Sequence, residues 1–333
     1  MDVMISIRSN FFYTRSVPCE LWFFDKGKPK ARRDLVLMID ARNIYRKVTR
    51  KIYDFTFEQQ QNLTSIVWLY RGETDRFISL VQQYLEQTLT EAANIAEKSA
   101  SFQSAYEAIK DATAPFLKSL PKESPVHEVV RERYDAAKAC FTELDELNQQ
   151  IAKDWKKPCA AKLGEQKKLL GKLDTLAVAC RDLVKTADLV VKLSTRLIDL
   201  AEKDGNAKEH DTWDSRAIAR LKKGLETQRL VLVAQLKVTA YFERQTHWLL
   251  SRFPDAKLVD VAGLVKLVDR KDIEVADWSL TPGRHVGVAP AEVDDDFDFE
   301  QAITDIHTEL ADLNQEAAEL SNAIQQNFAG LGI

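Results

Sequence analysis

The residue types best suited to chemistry in this chain lie near its N-terminus, and they are aromatic and basic. Phe11, Phe12 and Tyr13 follow one another in a loop between two strand-like runs. Rings at such a place either seal a core or present a face for stacking. Downstream, Arg42, Arg46 and Arg50 recur every fourth residue, with Lys47 beside them. On a helix that spacing puts the arginines on one side, where they contact phosphate or simply meet solvent. Signatures of catalysis are missing from the rest of the chain. The eleven glycines form no G-x-G-x-x-G and no G-K-[ST], and there is no nucleophile elbow. His127, His210, His247, His285 and His307 are far apart and read as solvated or capping residues. Cys19, Cys140, Cys159 and Cys180 form no CxxC pair, which points to a reduced chain without a zinc site.

Composition narrows the function class. A net charge of −4 argues against a chain that binds polyanions over its whole surface. The charge is uneven, however. Residues 1–57 carry twelve Lys or Arg against six acids, whereas Glu292, Asp294, Asp295, Asp296, Asp298 and Glu300 make an acidic run near the other end. Nucleic-acid contact is therefore expected only at the N-terminal end. No apolar run reaches the roughly 18 residues needed to span a bilayer, and no signal peptide is visible. A soluble, cytoplasmic protein without membrane contact is expected.

The elements that must position these residues can be read from periodicity. Asp2–Ile7, Cys19–Asp25 and Leu35–Asp40 read as strands, the last before helix takes over. Ala41–Lys51 reads as a basic helix, and a further helix runs from a Thr56 cap to Arg71, stopped by Gly72. Helical period then dominates: Asp75–Ala114, Val126–Trp155, Ala160–Lys203 and Trp213–Phe253, with breaks expected at Pro115, Pro121, Pro125 and Pro158. Leu169, Leu173, Leu176, Cys180, Leu183, Ala187, Val190, Ser194, Leu197 and Ala201 alternate by 4 and 3, a coiled-coil seam. The last two long helices should form an antiparallel hairpin. Leu258–Val268 reads as a short helix, and Asp277–Gly287 as irregular chain set by Pro and Gly. After the acidic run, Ile303, Ile306, Leu310, Leu313, Ala317, Leu320 and Ile324 give a final helix one apolar stripe, which needs something to pack against.

The fold class expected is mainly α with a small β segment. The divisions are 1–57 (strands and basic helix), 58–255 (helical bundle with coiled-coil hairpin), 256–298 (irregular, acidic) and 299–333 (C-terminal helix). Three strands make a poor core by themselves. They read as the remnant of a larger α/β sheet, with Asp2–Ile7 and Cys19–Asp25 paired antiparallel and an apolar edge left open.

Two separated stretches carry a family resemblance. DVMISI, NFFYT, VPCELWFFDKGKP and VLMIDARNIYRKV resemble the end of the methyltransferase domain of type I restriction–modification M subunits. WSLTPGRHVGV, the acidic run and the terminal coiled-coil helix resemble the tail of the same subunits, with His285 where the family has Tyr. The resemblance covers about residues 1–80 and 270–333, and the helical middle matches only in character.

It implies a DNA methyltransferase that moves a methyl group from S-adenosylmethionine to adenine N6. The family's Gly-rich cofactor motif and its Asn-Pro-Pro-Tyr motif do not occur here. The chain is thus expected to be a C-terminal portion, with no cofactor of its own and no activity alone. Such enzymes flip the target base, and the resemblance makes Phe12 the stacking residue, flanked by Phe11 and Tyr13. Arg42, Arg46, Lys47 and Arg50 would meet DNA phosphate. Ile303, Ile306, Leu310, Leu313, Leu320 and Ile324 would dock on the specificity subunit. A second M subunit and a nuclease-translocase subunit complete the expected partners, with DNA bound through the complex. Two other readings are a non-enzymatic helical scaffold or adaptor, and a regulatory DNA-binding module that uses the basic helix.

Overall fold

The computed structural model describes residues 1–12, 16–49, 52–154 and 161–289, together with Ile303, Ile306, Leu310, Leu313, Asn314, Ala317, Ala318, Leu320, Ser321, Asn322 and Ile324. The chain divides into two compact units: Met1–Gln60 with Asp260–Ile333, and Gln61–Val259. Helix dominates, beside a small amount of sheet.

The first unit is built on strands β1 (Val3–Ile7), β2 (Cys19–Phe23) and β3 (Val36–Asp40). β1 pairs antiparallel with β2, from Val3 opposite Phe23 to Ile7 opposite Cys19. On its other side β1 runs parallel to β3. Every residue of β3 is buried, as its uninterrupted V-L-M-I run requires of an interior strand. The loop from β2 to β3 is tied back by Lys28, whose Nζ lies 3.5 Å from Asp2 and donates to the Met1 carbonyl at 2.8 Å. β2 is the opposite case. It lies at the sheet edge, and Leu21, Trp22, Phe23 and, just beyond it, Phe24 are all exposed. The antiparallel pairing and the open apolar edge are those the residue pattern predicts.

Two features of this unit correct the sequence reading. The described part of Ala41–Lys51 forms no basic helix. β4 (Arg46–Thr49) instead pairs antiparallel with β5 (Ile52–Asp54) as a hairpin, with Arg46 opposite Asp54 and Lys47 opposite Tyr53. The arginine spacing fits a helical period, but Val48, Thr49, Ile52 and Tyr53 favour extended backbone, and the Arg46–Asp54 ion pair closes the ladder. The second correction is at Leu258–Val268, which is not a helix. Gly263 turns the chain at φ +73°, and Val265–Val268 becomes β6, antiparallel to β3. Met4, Val36 and Met38 of the sheet then share a core with Val268, Ile273 and Val286. A short helix, α6 (Arg270–Val275), starts on a capping box between Asp269 and Asp272. Asp277–Gly287 is irregular as expected, apart from a single 3₁₀ turn at Pro282–Arg284.

α1 (Phe57–Arg71) begins at Thr56, whose Oγ1 accepts from the Gln59 amide while Gln59 Oε1 accepts from the Thr56 amide. Gly72, at φ +80°, ends it. The second unit is an antiparallel bundle of α2 (Thr74–Ser119), α3 (Val126–Asp154), α4 (Leu163–Lys203) and α5 (Ser215–Arg252). Phe77 meets Phe253 and Tyr84 meets Phe242, while Gln235 donates to the Glu91 carboxylate; these pairings fix α2 against α5 in opposite directions. The α4 seam is buried from Leu173 to Ala201, with Leu169 half-buried at its start. Arg229 reaches across to Asp188 at 2.6 Å, so α4 and α5 form the expected antiparallel hairpin. Asp214 caps α5 by accepting from the Arg216 and Ala217 amides. Pro115 does not break α2, which runs on to Ser119. The loss of one N–H near a helix end is tolerated because Phe116 and Leu117 are buried on the continuing turn. The break at Pro158 lies outside the described residues.

Candidate nucleic-acid interface

In the first unit, aromatic rings gather where the β1–β2 loop meets the β4–β5 hairpin. Phe11 packs on Phe55 with ring centroids 4.4 Å apart and meets Phe12 edge-on at 6.5 Å. The Tyr53 amide donates to the Asn10 carbonyl at 3.0 Å, which fastens the hairpin to the start of the loop. Tyr53 in turn meets Tyr45 at 5.2 Å, nearly perpendicular. The Arg8 guanidinium fills the corner between them, 3.8 Å from each ring centroid. This guanidinium–ring contact is attractive and holds the hairpin to β1.

Phe11 is half-buried against Phe55 and acts in packing. Phe12 is 44% exposed. Tyr13 lies outside the described residues.

Among the described residues, the expected phosphate contacts Arg46 and Lys47 lie on opposite sides of a ribbon, because the segment is extended and not helical. Arg42 follows β3 directly and is committed to Asp40: Nε lies 2.9 Å from Oδ1 and Nη2 2.6 Å from Oδ2. That hydrogen-bonded pair holds the Arg42 pKa above its ordinary value, with burial opposing. The guanidinium lies against Gly283, where a Cβ would meet Arg42 Nη2 and make the side chain shift. Arg46 bonds both carboxylate oxygens of Asp54, at 2.9 and 2.6 Å, and draws the Asp54 pKa down. Lys47 instead shares the side of the hairpin that carries Tyr53, its cross-strand partner. Arg50 lies outside the described residues.

Arg8, Tyr45, Tyr53 and Phe55 were not singled out from the sequence. Their signal was an alternation, Tyr45-x-Lys47 and Tyr53-x-Phe55, which places one aromatic and basic face on a two-stranded ribbon.

At the other end, Ile303, Ile306, Leu310, Leu313, Leu320 and Ile324 are all helical and between 46% and 63% exposed. The acidic run before them lies outside the described residues. Among the described residues no cluster of His, Cys, Asp or Glu could hold a metal ion, and no helix is long and apolar enough to cross a membrane. His127, His210 and His285 each engage a local oxygen, those of Pro121, Thr212 and Ser279.

Residues 1–95 match the N-6 DNA methylase family, which supports an adenine DNA methyltransferase origin for that segment. The stretch includes the whole aromatic loop and the hairpin. No curated protein and no solved structure gives a significant match to the chain.

Proposed function

We propose that this chain is the C-terminal portion of the modification subunit of a type I restriction–modification system. In the intact enzyme it serves adenine-N6 methylation by supplying one wall of the base pocket and the helix that joins the specificity subunit. The observation that carries this reading is the family match over a segment whose antiparallel β1–β2 pair holds an exposed Phe12 at its aromatic loop.

Two turns, those after β1 and β3, bear on where S-adenosylmethionine would sit. After β1 come Arg8, Ser9 and Asn10, and after β3 the space is taken by Arg42 on Asp40. Neither turn offers a glycine backbone to cradle a ligand. The cofactor and its methyl group are therefore assigned to another part of the enzyme, and this chain acts on the DNA side. Phe12 stacks on the extruded adenine, a contact worth roughly 1–3 kcal/mol per base. The open edge of β2 suits extension of the sheet by further strands, because its rings point to both faces as in an interior strand. The exposed Ile303–Ile324 stripe suits a coiled-coil partner on the specificity subunit, and a second modification subunit and the nuclease-translocase subunit complete the assembly.

The test is reconstitution. The chain is co-expressed with a cofactor-binding methyltransferase half and a specificity subunit, and the purified complex is assayed for transfer of labelled methyl to adenine. Stable assembly with methyl transfer supports the reading. A chain that joins neither partner defeats it.

A further inference from the structure

We propose that the Tyr45–Lys47–Tyr53 face of the β4–β5 hairpin, continued by Phe55, Phe11 and Phe12, is a binding strip for unpaired nucleotides. It goes beyond base stacking at Phe12, and rests on the methyltransferase reading only for the claim that the strand met in the cell is DNA.

Three observations point there. The first is continuity. Phe12, Phe11 and Phe55 form one chain of ring contacts, and the Tyr53–Tyr45 pair adjoins it, because Tyr53 and Phe55 are alternate residues of one extended segment. A row of rings accepts successive unstacked bases whatever their sequence, since every base has a π-face. The second is exposure. On this face Tyr45, Lys47 and Phe12 are exposed and Tyr53, Phe55 and Phe11 are half-buried, so each ring keeps part of its surface in water. The third is charge. Arg8 lies against both tyrosine rings, and its Nε is buried without a hydrogen-bond partner. Lys47 adds a second cation beside Tyr53, so the rings are interleaved with positive charge suited to a phosphate backbone. Arg46, by contrast, belongs to the opposite side of the ribbon with Asp54. The hairpin is thus two-sided: one side carries the Arg46–Asp54 ion pair, the other the tyrosine rings with Lys47.

The experiment measures fluorescence anisotropy of a labelled 20-nucleotide mixed-sequence DNA strand, and of its duplex, titrated with the full chain at 50 and 200 mM salt. The strand is expected to bind more tightly than the duplex. Tyr45→Leu, which keeps bulk but removes the ring, should weaken strand binding on the order of tenfold, and Tyr45→Phe should restore it. Lys47→Gln should lower the salt slope by about one. Circular dichroism confirms that each variant folds. Undetectable binding by the wild-type chain at 50 mM salt, or wild-type affinity in Tyr45→Leu, overturns the proposal. The two readings fail separately. Methylation by the reconstituted complex without strand binding defeats the hairpin strip alone. Strand binding without any methylation defeats the methyltransferase reading alone.

Discussion

Glu243 gives the sharpest test of the packing described for the bundle. This glutamate of α5 is buried, and its carboxyl faces Asp174 of α4, with Arg181 and Arg244 nearby. Burial first, and then the hydrogen bond and charge of Asp174, push it up to about 8 from an ordinary 4.5, while the two arginines oppose. The protonated Glu243 donates to Asp174 at neutral pH. The sign follows directly: between 4.5 and about 8 the folded chain keeps a proton that the unfolded chain has released, so stability falls as pH rises. Each pH unit in that window costs about 1.4 kcal/mol at most. The ceiling is therefore about 5 kcal/mol, and relaxation around the pair with partial access to water reduces the expected loss to ~2 kcal/mol between pH 5 and pH 8. Glu243→Gln keeps a donor for Asp174 and removes the titration. In urea melts at pH 5, 6, 7 and 8, variant and wild type should have similar stability at pH 5. By pH 8 the variant should be the more stable by ~2 kcal/mol. Parallel stability curves for the two proteins across that range would refute the buried-pair argument.

Three further outcomes follow from named contacts. Arg133 is buried against Tyr106, with Nε and Nη1 lacking hydrogen-bond partners. Arg133→Met should raise the bundle's stability by roughly 1 kcal/mol in the same urea assay, and a loss of 1 kcal/mol would show that the cation is satisfied. Replacing Leu310 and Leu313 with Asp should weaken co-purification with the specificity subunit by several kcal/mol, taking about 1.5–3 kcal/mol per buried leucine. It should leave the melting temperature of the chain unchanged, and the reverse pattern would make the stripe an internal packing element. Calorimetric titration of the purified chain with S-adenosylmethionine should give no binding heat, and micromolar affinity would overturn the assignment of the cofactor to another part of the enzyme.

Local pattern made much of this architecture legible. The strands at Val3, Cys19 and Val36 have β-branched or aromatic runs bounded by turn residues, and the bundle helices hold one apolar stripe over many turns. Ala41–Lys51 reads as a helix from sequence because two periods coexist around it. Arginines at every fourth position fit a helix, while Tyr45, Lys47, Tyr53 and Phe55 fit a ribbon, and the Arg46–Asp54 pair with the Arg8 corner decides between them. β6 was hidden for another reason. Val265–Val268 becomes a strand only by pairing with β3, distant in sequence, and four residues carry too little periodicity to announce it. At the site, the aromatic loop was visible as a cluster of types. Its extension through Tyr53 and Tyr45 was not, because it depends on where Arg8 and the hairpin meet in space.

The most direct measurement is single-turnover methylation by the reconstituted complex, with N6-methyladenine counted by mass spectrometry for wild type and Phe12→Ala. If residues 1–95 contribute one wall of an adenine pocket, the wild-type complex methylates its site. The Phe12→Ala complex then assembles normally but transfers methyl on the order of tenfold more slowly, the loss expected from one base–ring stack. Equal rates in the two complexes, or no N6-methyladenine from an assembled wild-type complex, would contradict the account.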